Sequence, residues 1–116
     1  MPRQSVFDMP FDKVYQALVN KAEKRGRTRS EVEEVTAWLL GYSAEQIESL
    51  RTSEATYGEF LREAPACNPK SDLITGKVCG IQVETIEDPI TKRMRQLDKL
   101  VDELAKGRPM ERILRQ

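Results

Sequence analysis

Histidine is absent from this chain of 116 residues. That removes the commonest general base, the commonest metal ligand and every histidine-based catalytic triad. Cysteine is scarce: the two present, Cys67 and Cys79, stand in no metal-ligand spacing. Cys79 sits in an apolar stretch and reads as a small buried side chain, whereas Cys67, between prolines, reads as a loop thiol. So few thiols fit a reducing compartment. The opening stretch MPRQSVFDMPFDK also lacks the apolar segment and small-residue cleavage site of an export signal, so a cytoplasmic location is expected. No apolar run approaches the roughly 20 residues of a membrane span, and no membrane partner is expected. The six glycines are scattered singly and make no phosphate-cradling loop, which argues against standard nucleotide binding. Aromatic residues are sparse as well, at 6%.

What is present is a soluble, globular composition in a length suited to one core, so residues 1–116 are expected to form a single helical domain. Net charge is zero, yet the charges are not mixed evenly. Residues 1–30 carry seven bases against three acids, and residues 91–116 carry eight against four. Between them, residues 31–64 have two bases against eight acids, and residues 65–90 two against four. Basic ends therefore flank an acidic middle. Such a pattern fits helices that neutralise one another at the surface or across a self-association interface; it fits equally a basic end that faces an acidic partner.

Two stretches, Val35 to Glu48 (VTAWLLGYSAEQIE) and Ile74 to Glu87 (ITGKVCGIQVETIE), align without a gap, pairing Gly41 with Gly80 and Glu45 with Glu84. Such self-similarity suggests that one local build is used twice. Around the first copy the helical signals are clear. Phe11, Val14, Tyr15, Leu18, Val19 and Ala22 recur at three-and-four spacing, so Pro10 to about Lys24 reads as an amphipathic helix that Gly26 stops. Thr28 with Glu31, Ser43 with Gln46, and Thr56 with Glu59 each have the spacing of a capping box, opening three further helices. Gly41 ends the first of these, and Pro65 ends the last.

Asn68-Pro69 reads as another helix start, running through Leu73, Ile74 and Val78 to a stop at Gly80. Lys77 to Ile86, taken alone, is β-branched enough for a strand or one arm of a hairpin. Its repeat mate is helix, glycine, capped helix, and on that ground the segment is expected to be helical. Asp88-Pro89 opens the longest helix, with Ile90, Met94, Leu97, Leu100, Val101 and Leu104 on one face and Gly107 closing it, before a last turn after Pro109. The expected architecture is all-α, about six or seven helices with an internal helix-Gly-helix repeat. The alternative is α+β with a short hairpin near Lys77 to Ile86.

Carboxylates are the one plausible catalytic set. Glu31/Glu34, Glu45/Glu48 and Glu84/Glu87 are each three apart, a spacing that puts both members on one helix face where they could hold Mg²⁺ through oxygen. Capping boxes and the helix dipole account for the same glutamates without a metal. Lys21, Lys24, Arg25, Arg27 and Arg29 gather at the end of the first helix, where they either contact nucleic-acid phosphates or complement the helix dipole. The AEQIESL helix that would have to read a groove is acidic, which counts against nucleic acid. Trp38 and Tyr42 flank Gly41 as core anchors or as the wall of a pocket.

The segments KAEKRGRTRSEVEEVTAWLLGYS, LITGKVCGIQVETIEDP and LDKLVDELAKGRPMERIL resemble, in that order, the signature stretches of domain-of-unknown-function family 2200. The resemblance runs from about Phe7 to Leu114 and implies a single-domain bacterial cytosolic protein. It brings no catalytic residues and no cofactor with it. The leading functional reading is a non-enzymatic helical module that binds a protein or a second copy of itself through apolar surface left over on the Pro89 to Lys106 helix. The alternatives are nucleic-acid binding through the Lys21 to Arg29 cluster and Mg²⁺-dependent nucleotide hydrolysis by the paired glutamates.

Overall fold

The computed structural model describes residues 6–66, 68–78 and 80–114. Both cysteines lie outside them, so the expectations for Cys67 and Cys79 fall outside the described residues. The helices are α1 (Phe11–Glu23), α2 (Arg29–Leu40), α3 (Ala44–Arg51), α4 (Tyr57–Arg62), α5 (Pro89–Ala105) and α6 (Met110–Ile113). Short 3-10 turns cover Val6–Asp8, Pro69–Leu73 and Val83–Thr85.

The helix starts follow from local chemistry. Thr28, Ser43 and Thr56 each accept a hydrogen bond from the backbone N–H three residues on, and in each case the Glu or Gln at that position accepts one back, so two orphan donors are satisfied per helix. Asp88 caps α5 through the Thr91 amide at 2.9 Å, with Pro89 in the first turn. Gly41 ends α2 in a left-handed conformation, φ 83°, which only glycine adopts without strain.

The fold is thus overwhelmingly helical, and the one departure lies where two readings competed. Lys77 to Ile86 is not the second helix-glycine-helix unit. Strands β1 (Lys77–Val78) and β2 (Ile81–Gln82) pair antiparallel, Lys77 opposite Gln82 and Val78 opposite Ile81, and a 3-10 turn follows. The helix expected to run from Asn68 to Gly80 is cut to one 3-10 turn for the same reason. Gly76 takes φ 102°, outside the helical region, and Val78 prefers an extended backbone. The hairpin alternative therefore describes this segment.

α5 is the spine. It packs against α1, α2, α4, α6 and β1, and Leu97, Leu100, Val101 and Leu104 are fully buried beneath it. This corrects the expectation of a spare apolar face on α5, because the stripe from Met94 to Leu104 is buried in the protein's own core and Ile90 is partly buried against it. An aromatic group closes the other side: Phe60 lies 4.4 Å from Phe11 and 4.8 Å from Tyr42, ring centre to ring centre. The Tyr42 hydroxyl donates to the Phe60 carbonyl at 2.7 Å, so this side chain is an anchor with its polar tip satisfied. Tyr15 is sealed in the same core, and burial pushes its hydroxyl up to about 12.

Candidate functional site

α1 and α5 finish side by side, and each ends in cations. Lys21 and Lys24 occupy the last turn of α1 and its cap, and Arg25 follows; Lys106 caps α5. These four line one cleft together with Asp102 and Ala105. The negative end of each helix dipole favours the cations locally, and the fold then sums two such ends in one place. Asp102 is the single acid in the lining. It receives Lys106 at 3.1 Å and Lys21 at 3.4 Å. Partial burial pushes its carboxyl up, but these two ammonium groups outweigh that and hold it below the usual carboxylate range.

The sequence cluster of five bases is divided by the fold. Arg27 forks onto Glu31 at 2.6 and 3.0 Å, and its third nitrogen donates to the Arg108 carbonyl at 2.8 Å. It is a clamp between the turn after α1 and the turn after α5, which holds the two basic segments together. The same arginine holds the Glu31 carboxyl below its ordinary range. Arg29 pairs with Glu48, and with Glu33 at 3.7 Å. Lys21 is shared with Asp102. Lys24 and Arg25 are exposed and have no ionic partner among the described residues. Sequence reasoning missed Lys106 and Asp102. The only signal for them was the basic excess of residues 91–116, which carries no information on which base meets α1.

The glutamate pairs are placed differently from one another. Glu45 and Glu48 do lie on one short helix, α3, but Glu48 is engaged by Arg29. Glu84 sits in a 3-10 turn and Glu87 beyond it, so they share no α-helical face. The Glu84 carboxylate instead accepts from the Gln82 side chain at 2.7 Å and the Gly76 amide at 3.0 Å, and these bonds lower its pKa. Among the described residues no three acidic or sulfur side chains gather where a cation could be held. Tyr42 borders an open depression with Ser43, Glu45 and Glu63, while Trp38, half-buried against the core, does not line it.

Fold and site together define a small helical protein that carries a cationic cleft at one end and, among the described residues, no assembled metal centre. The chain belongs to the family described as "Uncharacterized protein conserved in bacteria (DUF2200)", whose family model matches residues 5–115. Among solved structures it is similar to the crystal structure of uncharacterized protein SP1917, at 42% identity and a TM-score of 0.92, over 97% of this chain and 93% of that one. No curated protein matches it. No helix among the described residues is long and apolar enough to cross a membrane.

Proposed function

We propose that this protein is a non-enzymatic helical binding module whose partner is a protein presenting an acidic surface, docked at the Lys21, Lys24, Arg25 and Lys106 cleft. One observation carries the reading: the two basic ends of the chain converge there, four cations around one acid, clamped in place by Arg27. Arg27 and Arg29 are spent on ion pairs. Lys24 and Arg25 are left facing solvent, where they steer and hold an anionic partner. Titrating a fluorescent polyglutamate peptide tests the reading. Saturable binding that weakens as salt rises supports it, and no binding at low salt refutes it.

Nucleic acid is the second reading, because Lys21, Lys24 and Arg25 project from one helix end as phosphate contacts would. Glu45 and the Arg29-bound Glu48 on α3 leave the helix after Gly41 without the donors that groove reading needs. A labelled duplex and a labelled single strand, titrated alongside the peptide, separate the two. Tighter binding of either oligonucleotide than of polyglutamate would favour this reading over the first.

A further inference from the structure

A second site, unrelated to the cationic cleft, lies where the end of α2, the Pro69–Leu73 turn and the start of α5 meet. There Lys92, Arg93 and Gln96 of α5 face Ser71 and Asp72 across a cavity of about 190 Å³ with Leu39 and Leu40 at its floor. That is room for about six water molecules, or a ligand of about as many heavy atoms.

We propose that this cavity binds a small carboxylate that carries a neighbouring hydrogen-bond donor, the chemistry of a 2-hydroxy or 2-amino acid. Gln96 is 3% exposed, and the little surface it keeps includes its amide oxygen, which is not among the buried polar atoms left without a partner. Its amide nitrogen donates to the Ser71 carbonyl at 3.2 Å, which fixes the amide orientation, and its Oε1 has no hydrogen-bond partner among the described residues. Arg93 spends one nitrogen on the Leu61 carbonyl at 2.8 Å, which positions the guanidinium and leaves donors of the fork for an oxyanion. Lys92 makes one ion pair, loose at 3.9 Å, to Asp72, whose side chain is 83% exposed, and it also lies within the electrostatic reach of Glu84.

The carbonyls at the end of α2 do not tip the site toward a cation. Leu39 and Leu40 already accept from Asn68 and Ala66, at 3.0 and 3.1 Å. Nor is this a bare helix N-terminus, because Asp88 already caps α5. The carboxylate goes to Arg93 and Lys92, displacing Asp72; the adjoining hydroxyl or amine donates to Gln96 Oε1, which no group among the described residues engages and which otherwise meets solvent.

The test is NMR titration of the whole protein with lactate and with propionate, which lacks the hydroxyl, at matched ionic strength. The Gln96 side-chain amide is the readout. Lactate is expected to shift it saturably in the millimolar range, and propionate to bind about tenfold more weakly. Lys92→Gln should weaken lactate by about tenfold, and Asp72→Asn, which removes the competing carboxylate, should tighten it. Both substitutions fall on weakly held surface contacts and leave the fold intact. Failure of lactate to shift Gln96, equal affinity for lactate and propionate, or an unchanged affinity in Lys92→Gln would each overturn the assignment.

Discussion

Val35–Glu48 and Ile74–Glu87 match in sequence and differ in structure, and the difference lies in what surrounds one shared feature. Both copies centre on a glycine of positive φ, Gly41 at 83° and Gly80 at 78°. In the first copy that glycine follows Thr-Ala-Trp-Leu-Leu, mostly good helix formers, and it closes a helix. In the second it follows Thr-Gly-Lys-Val-Cys, where Gly76 breaks the backbone, and the same conformation turns a hairpin instead. Downstream, Ser43 caps α3 with its hydroxyl, whereas the Gln82 side chain makes no cap and reaches Glu84. A left-handed glycine specifies a change of direction, and its neighbours decide which one.

The two glycines also differ in how closely they are packed, and that gives the largest expected contrast. A Cβ on Gly41 would lie 2.7 Å from the Ala66 Cβ and 2.8 Å from its backbone N and O. Gly41→Ala should therefore cost about 3 kcal/mol, combining left-handed strain with a clash against a neighbouring backbone. Gly80 has nothing within 4 Å of such a Cβ, so Gly80→Ala should cost about 1 kcal/mol from strain alone. Urea denaturation of the two variants makes the comparison, and equal losses would break it.

The caps give the next contrast. Ser43→Ala removes a hydroxyl that accepts from the Gln46 amide at 3.1 Å and should cost about 1 kcal/mol. Gln82→Ala, at the equivalent position, should stay within about 0.5 kcal/mol because its side chain caps nothing at the start of the Val83–Thr85 turn. Thermal melting of both checks the ordering.

The smallest effect is a pH dependence in the hairpin. The folded state lowers the pKa of Glu84 through its bonds to the Gln82 side chain and the Gly76 amide. A carboxylate lowered on folding contributes its stability above its unfolded pKa and loses it as pH falls through the folded one. The Gly76 amide resonance should accordingly titrate with a midpoint below the usual glutamate range. A midpoint within that range would mean the Glu84 bond is not held in solution.

Most of the helical fold was legible because it is written locally. The boxes at Thr28, Ser43 and Thr56 need only residues three apart, and the stripe of α5 needs only its own period. The hairpin was not settled, because Lys77 to Gln82 satisfies a strand pattern by composition and a helix pattern by analogy; Gly76, unpaired with any glycine in the first copy, was the residue that separated them. The stripe on α5 revealed that a face would be covered, without revealing by what: α1, α2, α4, α6, β1 and the Val83–Thr85 turn share it. The candidate cleft was half legible. Lys21, Lys24 and Arg25 are close in sequence, whereas Lys106 and Asp102 reach them only because the C-terminal ends of two distant helices meet, and the removal of Arg27 and Arg29 into ion pairs is a tertiary outcome too.

That division of the basic cluster is the central claim, and comparing two variants tests it most directly. Lys24→Glu/Arg25→Glu changes two exposed residues of the cleft and its rim, whereas Arg29→Gln removes a base tied to Glu33 and Glu48. With a fluorescent polyglutamate peptide followed by anisotropy at low salt, the double variant should lose at least about tenfold in affinity while remaining folded, its melting temperature lowered only by the acids now at the α1 C-terminus. Arg29→Gln should bind the peptide as the wild type does. Equal weakening in both variants would mean that the cluster acts as undivided surface charge, and unchanged binding in the double variant would contradict the cleft outright.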